Sequence, residues 1–265
     1  MANIQPVIIL GMHRSGTSCL TGSLEEAGLF LGDVNNRNSH SHRALNEYVD
    51  IRQLNSRILE ANGGSWDSVP ATADWTDEHR RIRDRLIESF PTDRPWGFKD
   101  PRTTITLEGW LEALPGARLV GTFRHPTEVV MALEKRNGYP AEKILGIWND
   151  YNRLMLEAHD RYGFDVIQYD WPGYRYRQGL KTIAENLDLP VRNPRFTHYQ
   201  PSIRRNRSSS EVGLPGETVA IFEKLCALAE RSVPLTPSLR MRAVLNAIGI
   251  RTGGRASESS EDGGD

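Results

Sequence analysis

A run of four apolar residues, Val7-Ile8-Ile9-Leu10, ends on Gly11, and a helical pattern begins just after Gly16. Short continuous apolar runs suit a parallel strand covered on both faces. Beyond Gly16, Leu20, Leu24, Ala27 and Leu31 recur near helical spacing, with Gly28 expected to stop the helix. Strand, glycine loop and helix within thirty residues restrict the chain to folds in which a helix packs back on a parallel sheet.

The rest of the chain repeats that alternation. Leu45, Val49, Leu54, Ile58 and Leu59 predict an amphipathic helix over 44–60, broken by Asn62-Gly63-Gly64. A charged helix is expected over 77–90, with Ile82, Leu86 and Ile87 inward. Trp96-Gly97-Phe98 reads as a short strand, and a helix from Thr104 to Leu114 leads to a strand over 118–123. Pro126 suits the first turn of the next helix, which runs towards Gly138. A longer helix carries Ile144, Ile147, Tyr151, Leu154, Met155 and Ala158, and 165–169 gives another strand. The expected class is α/β with a mainly parallel sheet flanked by helices. One domain is expected over 1–250, with a basic, Ser-rich loop at 204–216 and a disordered acidic tail at 251–265.

Composition limits the partners. Among 265 residues, 33 basic and 34 acidic side chains leave a formal charge of −1, which gives no bulk attraction to nucleic acid or an anionic membrane. Anion binding must come from locally placed arginines and backbone N–H groups. Cys19 and Cys226 form no framework, and Cys19 reads as a buried helical thiol. No apolar stretch reaches the roughly 20 residues of a membrane span. The first residues lack a basic segment and a cleavage site, so a cytoplasmic protein is expected.

The spacing Gly11-x4-Gly16 between strand and helix is that of a phosphate-cradling loop. Glycines let successive N–H groups turn inward, and the following helix adds its dipole and unpaired donors. A nucleotide-hydrolysing loop continues Gly-Lys-Ser/Thr, whereas Thr17 follows Gly16. The lysine that bridges β- and γ-phosphates is therefore missing. Arg14 stands inside the loop instead, with hydroxyls from Ser15, Thr17 and Ser18. Guanidinium and backbone donors suffice for a phosphate carrying a sulfonyl group, with no metal expected.

Four blocks in this order resemble the sulfotransferase family, in particular bacterial members with a Gly-x-His-Arg-Ser-Gly-Thr-Ser loop. They are ILGMHRSGTSCL (9–20), NEYVDIRQLNSRIL (46–59), WGFKDPRT (96–103) and VGTFRHPTEVVMAL (120–133). The resemblance implies a P-loop-like fold. It also implies 3′-phosphoadenosine-5′-phosphosulfate as donor and a hydroxyl or amine as acceptor. Arg14, Ser15, Gly16, Thr17 and Ser18 would hold the 5′-phosphosulfate, and Arg124 the 3′-phosphate. The family's serine eight residues after that arginine is Ala132 here. Arg204, Arg205 and Arg207 are the candidates to compensate.

Sulfonyl transfer needs cations near the bridging oxygen and a base near the acceptor. Arg14 and Lys99 are the candidate cations, Lys99 because it emerges from a strand at the ligand-binding edge of such a sheet. Glu47, at the start of a helix, is the first candidate base, where the resembling family carries a glutamate; Asp100 and His42 follow. Residues 35–42 are expected to form an acceptor-side loop; Trp66, Trp75 and Trp148 read first as core aromatics, with an acceptor pocket as the second reading and no role assigned. Small molecules, carbohydrates and peptides remain open as acceptors. A kinase with a degenerate loop and a non-catalytic nucleotide binder are the competing readings.

Overall fold

The computed structural model describes residues 5–32, 47–191, 195–199 and 213–234. All described elements belong to the compact unit Met1–Val233. Four strands, β1 (Val7–Leu10), β2 (Gly97–Lys99), β3 (Arg118–Phe123) and β4 (Asp165–Gln168), form a sheet in the order β2-β1-β3-β4, parallel throughout. β1 runs through the middle of the core, with all four side chains at 1% exposure or less. That position explains its uninterrupted apolar sequence.

Eight helices cover the sheet among the described residues: α1 (Thr17–Glu26), α2 (Val49–Ala61), α3 (Asp77–Glu88), α4 (Thr103–Ala113), α5 (Pro126–Asn137), α6 (Ala141–Tyr162), α7 (Gly173–Asn186) and α8 (Gly216–Ser232). Local chemistry sets several ends. Thr76 caps α3 in a reciprocal box with His79. α5 opens on Pro126, whose missing N–H costs nothing there, and closes on Gly138 at φ 68°. Tyr48, not Ala44, precedes the first turn of α2, so Glu47 stands just outside the helix. Cys19 in α1 is half-buried rather than sealed in the core.

The sequence pattern did not reveal α7 and α8. α7 lies on β4, where Gly179 leaves room for Ile167. α8 packs on β4 and α6 through Ile221, Leu225, Leu228 and Ala229. Among the described residues no helix is long and apolar enough to cross a membrane.

The strand order positions the site. From β1 the chain moves to β2 on one side, then crosses to β3 on the other. The crevice between β1 and β3 is therefore a topological switch point, where open α/β sheets take their ligands. Gly11 and the loop after it leave the sheet at that crevice.

Candidate functional site

Because all strands are parallel, their C-terminal ends share one edge. Across it stand Lys99 at the end of β2, the Gly11–Ser18 loop after β1, Arg124 after β3, and Tyr169 and Asp170 after β4. Residues distant in sequence thus meet in a row only a few strand spacings long.

The loop is shaped for close approach. Gly11, at φ 141°, lies so near the Thr122 carbonyl that a Cβ would collide with it, and its N–H donates to Thr104 Oγ1 at 3.1 Å. Arg14 takes a left-handed φ of 66° and Gly16 one of 89°. Gly16 precedes α1 without a side-chain cap, and the first N–H groups of a helix have no intrahelical partner. Ser15 is buried, and its Oγ has no hydrogen-bond partner among the described residues. Its carbonyl accepts from Thr122 Oγ1 at 3.3 Å, which ties the loop to β3.

Burial, Arg136 and Arg124, in that order, draw the Arg14 pKa down from its ordinary value. Mutually depressing cations indicate a local excess of positive charge, the condition that favours an anion. The chain's near-zero net charge conceals this concentration.

Lys99 is buried at 1% exposure, with Nζ 2.9 Å from Glu47 Oε1 and 3.4 Å from Ser18 Oγ. Burial lowers its pKa, and the Glu47 carboxylate works against that shift. The pair joins the end of β2 to the segment before α2 and to the loop. Asp100 has no exposed surface and accepts from Arg102 NH1 at 2.8 Å and Asn55 Nδ2 at 2.9 Å. Burial raises its pKa, while Arg102 pulls it back. Asn55 in turn serves Thr103, Thr106 and Trp110, so Asp100 belongs to the network that seats α2 on α4.

Arg124 is held from two sides, by Asp170 at 3.1 Å and Glu128 at 2.8 Å. Its guanidinium also faces the Tyr169 ring at 5.5 Å. Asp170 accepts the His125 N–H as well, at 2.6 Å, and Trp148 Nε1 donates to the Arg124 carbonyl at 3.1 Å. The start of α5 is thereby locked in place.

With this geometry in view, a family comparison has a definite meaning. The model of the sulfotransferase family matches residues 6–169, well over half of the chain and all four strands. The chain belongs to the sulfotransferase family. Among solved structures, the sulfotransferase domain from the Synechococcus PCC 7002 olefin synthase is similar in fold. The likeness has a TM-score of 0.51 and 18% identity, and covers 85% of this chain and 96% of that domain. No curated protein matches the sequence.

Family membership supports sulfonyl transfer as the general activity of the chain. Of the predicted residues, Arg14, Ser15, Gly16, Thr17, Ser18, Glu47, Lys99 and Arg124 gather along the one sheet edge of this sulfotransferase, and Asp100 lies buried just beneath it. Arg204, Arg205, Arg207, residues 35–42 and the tail at 251–265 lie outside the described residues. Among the described residues no group of three or more His, Cys, Asp or Glu gathers as metal ligands. Trp75 packs edge-on against Trp110 in the core, and Trp148 is fully buried. Trp66 alone of the three candidates borders the loop, with its ring 4.7 Å from that of His13.

Two residues carry more here than the sequence assigns them: His13 reads as a loop hydrogen-bonder and Arg136 as a helix-end charge. His13 Nε2 is buried without a hydrogen-bond partner. Burial, then Arg102, Arg136, Lys99 and Arg14, push its pKa well below 6.5, so the ring is neutral. Arg136, at the far end of α5, places its guanidinium 5.1 Å from the Trp66 ring. Its only sequence signal was a charge in the last turn of a helix, which usually answers the dipole. A separate cavity of about 660 Å³ opens at the opposite end of the sheet, beside Arg118, His159 and Asn186. It lies at the N-terminal ends of β3 and β4, away from the loop.

Proposed function

We propose that this sulfotransferase moves the sulfonyl group of 3′-phosphoadenosine-5′-phosphosulfate to a hydroxyl or amine of a small-molecule, carbohydrate or peptide acceptor, without a metal. The observation that carries the reading is the row Lys99, Arg14, Arg124 along one sheet edge, centred on a loop that has Thr17 where nucleotide hydrolases have lysine and carries Arg14 within it instead. The residues fit the donor by their chemistry. The uncapped start of α1, the unpartnered Ser15 hydroxyl and Arg14 form a cradle for the phosphosulfate. Arg124, one strand over, takes the 3′-phosphate.

In the reaction the acceptor oxygen attacks sulfur while the bond from sulfur to the 5′-phosphate oxygen breaks. The leaving 3′-phosphoadenosine-5′-phosphate keeps the electron pair. Lys99 and Arg14 stabilise the charge that develops on the bridging oxygen. Glu47 receives the acceptor's proton, aided by its position against Lys99. Asp100 holds Arg102 and Asn55 and acts on the site only through them.

The test is isothermal calorimetry with 3′-phosphoadenosine-5′-phosphate, followed by donor-labelled transfer to acceptor classes read by mass spectrometry. Binding and transfer that persist in EDTA are expected. Absence of binding at millimolar nucleotide overturns the donor assignment, and turnover that stops in EDTA favours metal-dependent phosphotransfer.

A further inference from the structure

Helix α5 is a ruler along the site. Arg124 precedes its first turn and Arg136 lies in its last, about 18 Å apart at 1.5 Å per residue. The loop reaches the far end of that helix through one ring: His13, next to Arg14, lies 4.7 Å from the Trp66 ring, over which Arg136 sits at 5.1 Å. If the nucleotide's 3′-phosphate sits at Arg124 and its phosphosulfate at Arg14, an in-line acceptor approaches from the side of sulfur opposite the leaving phosphate. That direction points to the Arg136 end.

The surface there is firmly built. The Trp66 indole meets the His13 ring edge-on, stacks with Tyr139 at 6.3 Å and 22°, and carries the Arg136 guanidinium. Tyr151 Oη donates to the Trp66 carbonyl at 3.0 Å. Asp67, next in sequence, accepts from Tyr139 Oη at 2.6 Å, Ser65 Oγ at 2.8 Å and Lys143 Nζ at 3.0 Å. These bonds bind the 65–68 turn to the α5–α6 junction and hold the indole in one orientation, as a recognition wall requires. Arg136, in contrast, has no carboxylate within ion-pair distance among the described residues, and its side chain reaches solvent. A guanidinium on an aromatic face, left without an acid, is suited to a planar anion such as a carboxylate.

We infer that His13, Trp66 and Arg136 form the acceptor subsite and select a hydroxyl compound that carries an anionic group and an apolar face. The face lies on Trp66, the anion pairs with Arg136, and His13 Nε2 accepts a hydrogen bond from the acceptor hydroxyl. The assignment of the acceptor end rests on the donor orientation proposed above, whereas the anion site itself can be tested without it.

The experiment compares matched probes on the full chain: 4-hydroxybenzoate against 4-hydroxybenzamide, and glucuronate against glucose. Ligand-observed NMR measures binding to the free enzyme and to its complex with 3′-phosphoadenosine-5′-phosphate, so no turnover is needed. At least tenfold tighter binding of the charged member of one pair or both is expected. The pair that shows it distinguishes an aromatic from a sugar face. Arg136→Gln should abolish the preference, and Arg136→Lys should restore part of it. Equal binding of both members of both pairs, or a preference that survives Arg136→Gln, overturns the inference. Failure of the nucleotide to bind would instead remove the donor reading and leave the anion preference to be judged on the free enzyme.

Discussion

Lys99 Nζ lies 2.9 Å from Glu47 Oε1, and the two side chains keep only 1% and 7% of their exposure. An ion pair so enclosed contributes little net stability, but removing one partner strands the other charge. In this sulfotransferase Lys99 also reaches the loop, with Nζ 3.4 Å from Ser18 Oγ. Glu47→Gln keeps the shape and a hydrogen bond to Lys99 while removing the basic site. Turnover should fall by about 10²–10⁴, the usual range for a positioned base. Affinity for 3′-phosphoadenosine-5′-phosphate should stay within about threefold. Single-turnover kinetics and calorimetry check both halves, and near-normal turnover would remove Glu47 from the mechanism.

Gly16 turns the chain at φ 89°, and its Cα faces the Tyr169 ring so closely that a Cβ would overlap the ring atoms. Gly16→Ala therefore meets two penalties. The left-handed backbone costs about 1–2 kcal/mol for an L-residue, and Tyr169 must move away from Arg124. A lower melting temperature and at least tenfold weaker nucleotide binding are expected. Gly16→Ala combined with Tyr169→Ala should recover part of the stability, since only the ring contact is relieved. No recovery in the double variant would mean that Tyr169 does not set the loop's shape.

Much of this arrangement is legible in the sequence where the signal is local. The four strands announce themselves as short apolar runs, and Gly11, Gly16, Pro126 and Gly138 mark the turns and caps. α7 is harder to see because Tyr176, Leu180, Ile183 and Ala184 are its buried face within a run of arginines, glycines and polar residues. Glu47 reads as helical because Leu45 and Val49 continue the pattern, yet the first turn of α2 begins only at Val49. The pairings Glu47–Lys99 and Trp66–Arg136 are created by strand order and helix packing, to which periodicity is blind. The lowered pKa of His13 likewise depends on burial and on four cations drawn from three segments.

Ala132 lies on the buried side of α5, at 7% exposure, two turns beyond Arg124. A serine there would offer a hydroxyl to the 3′-phosphate proposed at Arg124. One such hydrogen bond is worth about 1 kcal/mol, against about 0.5 kcal/mol of lost helix propensity. Ala132→Ser should tighten 3′-phosphoadenosine-5′-phosphate by up to about fivefold and leave adenosine 5′-phosphate unchanged. Equal tightening of both nucleotides would place the 3′-phosphate elsewhere.

Asp67 supplies a pH-dependent part of the stability. Burial works to raise its pKa, but hydrogen bonds from Tyr139, Ser65 and Lys143 overcome it and hold the carboxyl at about 2, against an ordinary 3.8. A depressed acid stabilises the fold above its unfolded pKa and loses that contribution as pH falls through the folded one. Discounted for solvent screening at this partly exposed site, the shift corresponds to about 1 kcal/mol at neutral pH. Urea unfolding should show the wild type ahead of Asp67→Asn by that amount at pH 6. The lead should shrink once pH drops below about 4, and a constant lead would deny the clamp its ionic character.

His13 gives the same sign in a higher pH range. Burial and the charges of Arg102, Arg136, Lys99 and Arg14 keep its ring neutral, so at pH 6.5 the unfolded chain binds a proton that the folded one refuses. Stability attributable to His13 therefore falls as pH drops through 6.5. Binding 3′-phosphoadenosine-5′-phosphate places negative charge beside Arg14 and should raise the His13 pKa. By linkage, nucleotide affinity should then increase as pH falls towards that pKa. Histidine ring resonances, assigned with His13→Gln, should show a neutral imidazole at pH 6.5 in the free protein and an upward shift on addition of nucleotide. A free-protein pKa at or above 6.5, or no response to nucleotide, would detach His13 from the cationic cluster and from the phosphate it receives.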